Sequence, residues 1–98
     1  MTHERDANFF MANLGSEFTR MLSARARNDE RELHESAKRA LAIADAALAL
    51  QGPHGREEVL LLKKIINDIP NRDTAYSLTK KEVESYFRPF AMKEMTQR

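Results

Sequence analysis

The stretch SARARNDERE, residues 23–32, decides how the first half of the chain folds. It carries two alanines among polar and charged residues and contains neither Gly nor Pro. Asn28-Asp29 inside it is a suitable break, with Asp29 as the N-cap of a following helix. The missing Gly and Pro equally allow one helix from Ser16 to Gln51, with its polar middle exposed to water. The sequence leaves both alternatives open.

Helical periodicity continues on both sides of this stretch. In the segment before it, apolar residues recur at spacings of three and four, at Phe10, Leu14, Phe18, Met21 and Leu22. In the segment after it, the same spacing is kept by Leu33, Ala37, Leu41, Ala44 and Leu48. Each set lies along one face of a helix, so an amphipathic helix is predicted on each side of the joint.

Gly and Pro divide the rest of the chain. Gly52-Pro53-His54-Gly55 predicts a turn, because Gly ends helices and Pro does not continue one. Pro70 closes a third segment, since the residue before a proline avoids α geometry. The wide apolar arc of that segment, Arg56 to Ile69, predicts the most buried helix of the set. Thr79 to Glu82 fits a capping box that opens a fourth helix, which Pro89 is expected to kink or end.

These patterns predict an all-α fold, a compact four-helix bundle with helices at 6–27, 29–51, 56–69 and 80–92. The alternative joins the first two into one long helix, and a dimer then becomes the natural way to finish the core. We expect residues 1–98 to form a single helical domain, because 98 residues leave room for one core. Residues 1–5 and 94–98 are expected to be frayed tails.

Composition excludes several classes of function. Sixteen Lys and Arg nearly balance fifteen Asp and Glu, so no global field attracts nucleic acid or an anionic membrane. No cysteine is present, which excludes disulfides and thiolate sites. The most apolar run, Ala40 to Leu50, is interrupted by Asp45 and is far shorter than the roughly 20 residues of a membrane span. With a charged start and no signal-peptide pattern, we expect a cytoplasmic protein without a membrane partner.

The sequence offers no catalytic constellation. His34 with Glu30 could supply two metal ligands, but bundle metal sites use Glu-x-x-His pairs on two helices, and that spacing does not occur. Arg56 lies where a helix begins and could help to hold an anion, but Glu57 and Glu58 would repel it. We therefore predict a protein that is not an enzyme, with no catalytic, cofactor-binding or metal-ligating residues and no cofactor.

A basic stripe is the basis of one alternative function. If the first two segments form one helix, Arg20, Arg27, Arg31 and Lys38 follow one another at spacings of seven, four and seven. Such a stripe could contact nucleic acid phosphates. Acidic residues interleave with it, and no aromatic residues do, as a single-strand stacking surface would require. A nucleic-acid-binding regulator is therefore the second interpretation.

Aromatic and methionine residues favour a protein-binding function. The first and last segments carry more of them than one narrow face can bury, namely Phe9, Phe10, Met11, Tyr86, Phe90 and Met92. Adaptable binding surfaces use such side chains, although core filling explains them equally well. A seam of small residues, Ala37, Ala40, Ala44 and Ala47, would let another helix approach closely. We predict a non-catalytic protein-protein interaction or regulatory module that self-associates as a homodimer.

Overall fold

The computed structural model describes residues 3–50, 53–70 and 80–96. Within these ranges the chain forms four α-helices and no strand. They are α1 (His3–Ala26), α2 (Glu30–Leu48), α3 (Pro53–Asp68) and α4 (Lys80–Thr96). The predicted all-α, four-helix fold is confirmed. The predicted tails, 1–5 and 94–98, lie partly outside the described residues, and their fraying stays a prediction.

The joint between the first two helices is a turn. Asn28 adopts a φ of 58°, a left-handed conformation that Asn tolerates better than most residues. Asp29 then caps α2, because its Oδ1 accepts a hydrogen bond from the backbone N–H of Glu32 at 3.1 Å. The alternative of one helix from Ser16 to Gln51 is therefore wrong. The need for a dimer to finish the core disappears with it.

Replacing the capping residue should weaken the bundle. We expect Asp29→Ala to lower the free energy of unfolding by about 1 kcal/mol, because an N–H of the first turn of α2 loses its acceptor. Urea denaturation followed by circular dichroism measures this change. Lys38→Ala, on an exposed position in the middle of α2, is the control, and a loss no greater than that of the control would contradict the capping role.

Four predicted helix ends differ from the structure by three or four residues, and the first of them is the start of α1, at His3 rather than at 6. α2 ends at Leu48 rather than at 51, and α3 begins at Pro53 rather than at 56, because Pro suits the first turn of a helix. Gly52 lies outside the described residues, as does Thr79 of the predicted capping box. α3 ends before Pro70, as expected. α4 instead continues through Pro89 to Thr96, so the predicted end at 92 is wrong.

The central helix is α1, which packs against both α2 and α4, whereas α3 packs mainly against α2. The shared core is made of buried apolar residues from all four helices, including Leu14, Phe18, Met21, Leu33, Ile66 and Phe87. The expectation that α3 is the most buried helix is wrong. Its Leu60 and Leu61 are exposed, because α3 buries a narrow face against one main neighbour.

The alanine seam of α2 is closed within the chain. Ala37, Ala40, Ala44 and Ala47 are all buried, which lets the neighbouring helices approach α2 closely. On α3, Lys63 Nζ donates to Asp45 Oδ1 at 2.6 Å, and Arg56 Nη1 donates to the carbonyl oxygen of Leu48. The Arg56 side chain thus supplies a hydrogen-bond donor to a carbonyl group at the C-terminal end of α2.

Close packing between α1 and α4 depends on Gly15. A Cβ atom placed there would lie 2.6 Å from Phe87 Cβ and 2.7 Å from Phe87 Cγ. Both atoms are close to the α4 backbone, so they cannot swing away like the end of a flexible side chain. Gly15 is therefore the contact point that fixes the distance between these two helices.

Candidate functional site

A row of aromatic rings runs from the core to the surface of α4. Phe18 of α1 contacts Phe87, with ring centroids 5.3 Å apart. Phe87 in turn contacts Tyr86 at 4.9 Å and Phe90 at 6.4 Å. Phe18 and Phe87 are buried, Phe90 is partly buried against the core and Tyr86 is exposed. The row thus anchors surface aromatics to the packed interior.

Tyr86 also joins α4 to α3. Burial of its ring raises the pKa of the Tyr86 hydroxyl above its ordinary value of 10.0, and a hydrogen bond to the Glu58 carboxylate adds to the shift. The hydroxyl therefore stays protonated and can donate to the carboxylate. The polar end of Tyr86 therefore lies near the Glu58 carboxylate of α3.

The six predicted partner-binding residues do not form one surface. Met11 is 2% exposed and belongs to the core, while Phe10 and Phe90 pack partly against it. Phe9, Tyr86 and Met92 are exposed, at 45%, 41% and 58%. Successive helix residues are about 100° apart, so Met92 and Tyr86 lie on different sides of α4. Phe9 and Met92 remain as candidates for a surface turned toward solvent.

A shallow groove of about 320 Å³ runs between α1 and α4. Its α1 side is lined by small residues, Ala12, Gly15, Ser16 and Thr19. Its α4 side is lined by Val83, Glu84, Phe87, Arg88 and Ala91. The groove has an apolar floor, because Gly15 lets the Phe87 ring approach α1, and its edges are polar.

The exposed Phe9 and Met92 lie beside this groove. Phe9 precedes Ser16 by seven residues, about two helical turns, and Met92 follows Arg88 by four, about one turn. Each therefore lies on the same side of its helix as a residue of the groove edge. We call the groove together with Phe9 and Met92 the α1/α4 face.

Two charges at the α4 edge of the groove have no partner among the described residues. Glu84 and Arg88 are both exposed and are one turn apart, a spacing that often gives an ion pair. Among the side chains that the structure describes, those of residues 8–50, 55–70 and 81–92, no ion pair or hydrogen bond includes either of them. The α1/α4 face therefore carries one exposed acid and one exposed base.

A second polar cluster joins α1 to α2. Arg39 Nε donates to both carboxylate oxygens of Glu17, at 3.1 and 3.2 Å, and Arg20 Nη1 donates to Glu17 Oε2 at 2.9 Å. Glu17 is buried, and a buried carboxylate requires such partners. Arg39 also reaches Glu32 Oε1 and Ser36 Oγ, both at 3.0 Å. All members are satisfied by one another, so this cluster is a structural cross-link.

The same cluster predicts an acid-sensitive step in stability. A hydrogen bond from Ser36, and a second from Arg39, lower the pKa of Glu32 from its ordinary 4.5. Ionised Glu32 therefore stabilises the bundle above pH 4.5, and this contribution is lost as the pH falls through the lower folded-state value. We expect Glu32→Gln to lower the Tm near neutral pH and to approach the wild-type Tm in acid.

Thermal unfolding at a series of pH values tests this expectation. Glu57→Gln on α3 is the control, because Glu57 is exposed and no hydrogen bond to it is described. A Tm difference between wild type and Glu32→Gln that stays constant from neutral pH into acid would contradict a stabilising role of the ionised carboxylate.

The turn divides the predicted basic stripe. Arg20 and Arg27 lie on the α1 side of Asn28, whereas Arg31 and Lys38 lie on α2. Ion pairs join Arg20 to Glu17, Arg27 to Asp29 and Arg31 to Glu35. A groove of about 370 Å³ at Arg20 and Arg27 is also lined by Asp29 and Glu32. Nucleic-acid binding by these four residues stays a prediction.

The predicted His34 pair makes a local contact. His34 Nδ1 lies 2.8 Å from the carbonyl oxygen of Glu30 and 4.0 Å from Glu30 Oε2. In the described part of the chain, no three His, Asp or Glu side chains gather as metal ligands would. No helix in that part combines the length and the apolar character required to cross a bilayer.

Comparison with known protein families, with curated proteins and with solved structures gave no match to this chain. The α1/α4 face is therefore judged on its own chemistry. It combines a groove with an apolar floor, two exposed large apolar side chains and two charges of opposite sign.

Proposed function

We propose that this chain is a small, non-catalytic protein-binding module of the cytoplasm that self-associates as a homodimer. The observation that carries the proposal is the exposure of Phe9 and Met92 beside the groove, although the core has ample apolar residues to bury. Large aromatic and methionine side chains at a solvent-facing groove are typical of surfaces that bind protein.

The chemistry of the surface agrees with this proposal. Fully desolvated apolar side chains supply most of the energy of protein interfaces, and a rim of charges supplies specificity. Phe9 and Met92 would be the apolar contributors, while Glu84 and Arg88 would form the polar rim. A homodimer requires one such surface on each copy.

Sedimentation equilibrium of the purified chain tests the function. We expect the average mass to rise with concentration from 11.3 kDa toward twice that value. A single species of 11.3 kDa at every concentration would contradict self-association. Phe9→Ser should weaken the association, whereas Leu61→Ser, on an equally exposed position of α3, should leave it unchanged.

A further inference from the structure

We propose that a second copy of this chain docks on the α1/α4 face about a two-fold axis, with Glu84 of each copy paired to Arg88 of the other. α4 of each copy then lies in the α1/α4 groove of its partner. This inference rests on the proposed self-association and names the surface and the contacts that produce it.

The charges favour a second copy as the occupant. Glu84 and Arg88 have opposite signs, are four residues apart on one edge of the groove and are unpaired among the described residues. A two-fold axis that passes between the two α4 helices, level with the midpoint of Glu84 and Arg88, places each residue opposite the other in the second copy. Each of the four charges then has one partner of opposite sign in the other copy.

The shape of the face allows this approach. On α1 the groove edge consists of Ala12, Ser16 and Thr19, beside the buried Gly15. Such small side chains let a neighbouring helix come close to the backbone. On the incoming α4, Ala91 lies on the same edge as Glu84 and Arg88, so that edge presents one small side chain beside the two that form the proposed ion pairs.

Burial of exposed apolar area provides the driving force. Phe9 and Met92 flank the groove and are 45% and 58% exposed. In the two-fold arrangement both copies contribute both side chains, so four large apolar side chains gather around the edges of the interface. Removing apolar area from water favours association, and the Glu84–Arg88 pairs fix the relative direction of the helices.

Charge reversal distinguishes this arrangement from other modes of association. Glu84→Arg alone and Arg88→Glu alone each create like-charge pairs at both symmetric positions. The double variant Glu84→Arg with Arg88→Glu restores opposite charges. An equimolar mixture of the two single variants also restores them, because one copy then carries two bases and the other two acids.

The dimer dissociation constants come from sedimentation equilibrium, and circular dichroism checks that each exposed-site variant keeps its helix content. We expect each single variant to raise the dissociation constant at least about tenfold, since like charges at an interface repel strongly. The double variant and the mixture should return to near the wild-type value. Glu57→Arg on α3, the matched charge reversal away from the face, should dimerise like wild type.

Each other outcome overturns a specific statement. Single variants that associate as tightly as wild type, or a double variant as weak as the singles, overturn the two-fold docking while self-association itself stands. A wild-type chain that is monomeric at all concentrations overturns the proposed function as well.

Discussion

Phe18→Ala is expected to cost about 3–5 kcal/mol of the free energy of unfolding, the range seen when a fully buried phenylalanine is truncated. Phe18 is 1% exposed and contacts Phe87 across the α1–α4 contact. Domains of this size have a total stability of about 5–15 kcal/mol, so the loss is a large part of the whole. Urea denaturation followed by circular dichroism measures it.

Phe9→Ala is the matched control, because it makes the same substitution on the same helix at an exposed position. Both variants are compared at a protein concentration low enough for the chain to be monomeric, since Phe9 also belongs to the proposed dimer interface. It should change the free energy of unfolding by no more than about 0.5 kcal/mol, as surface substitutions usually do. Phe18→Leu retains most of the side-chain volume in the core. It is measured in place of Phe18→Ala if that variant does not fold. Equal losses at Phe9 and Phe18 would contradict the burial pattern of α1.

Gly15→Ala should destabilise the bundle although alanine is the better helix former. Helix propensity favours Ala over Gly by about 0.8–1.0 kcal/mol, but the new Cβ would lie 2.6 Å from Phe87 Cβ. Overpacking of a filled core costs about 1–3 kcal/mol, and this contact is closer than real Cβ atoms come. The difference is a net loss of up to about 2 kcal/mol, and we expect a larger loss for Gly15→Val.

Ser16→Ala provides the comparison for helix propensity alone. Ser16 is exposed and adjacent to Gly15, so replacing it should stabilise α1 slightly, by a few tenths of a kcal/mol. Thermal unfolding of the three variants ranks them. If Gly15→Ala raises the Tm as Ser16→Ala does, α1 and α4 are not in the close contact described.

The sequence predicted the fold where a single local signal decided the structure. Pro70 set the end of α3, and apolar spacing identified the inner faces of α1, α2 and α4. Asn28-Asp29 held both signals of a turn, a residue that tolerates positive φ and a capping carboxylate. The remaining ambiguity arose because no Gly or Pro marks this turn.

The errors occurred where tertiary contacts override local preference. Pro89 was expected to kink or end α4; the helix does not end there but continues to Thr96, and a kink at Pro89 stays a prediction. The wide apolar arc of α3 predicted deep burial, although burial depends on how many neighbours a helix has. Leu60 and Leu61 remain exposed because α3 packs mainly against α2.

Part of the candidate site was visible in the sequence and part was not. Phe9 and Met92 stood out as surplus apolar residues, but their position beside a groove depends on the packing of α1 against α4. The Glu17–Arg39 pair, 22 residues apart, was missed. Glu17 follows Leu14 by three residues and precedes Met21 by four, so it lies on the apolar face of α1. A charged residue on that face could have predicted a buried carboxylate with a basic partner.

The pairing of α1 with α4 affects how the chain is made. The side of α1 that contains Gly15 packs against α4, which leaves the ribosome well after α1. At a synthesis rate of ~5–20 residues per second, α4 is completed a few seconds after α2. During that time α1 and α2 form a hairpin in which the Gly15 side of α1 is exposed. A chaperone that binds emerging apolar segments would meet this side of α1 during those seconds, and polypeptides interrupted before α4 would display it permanently to the cell's proteases.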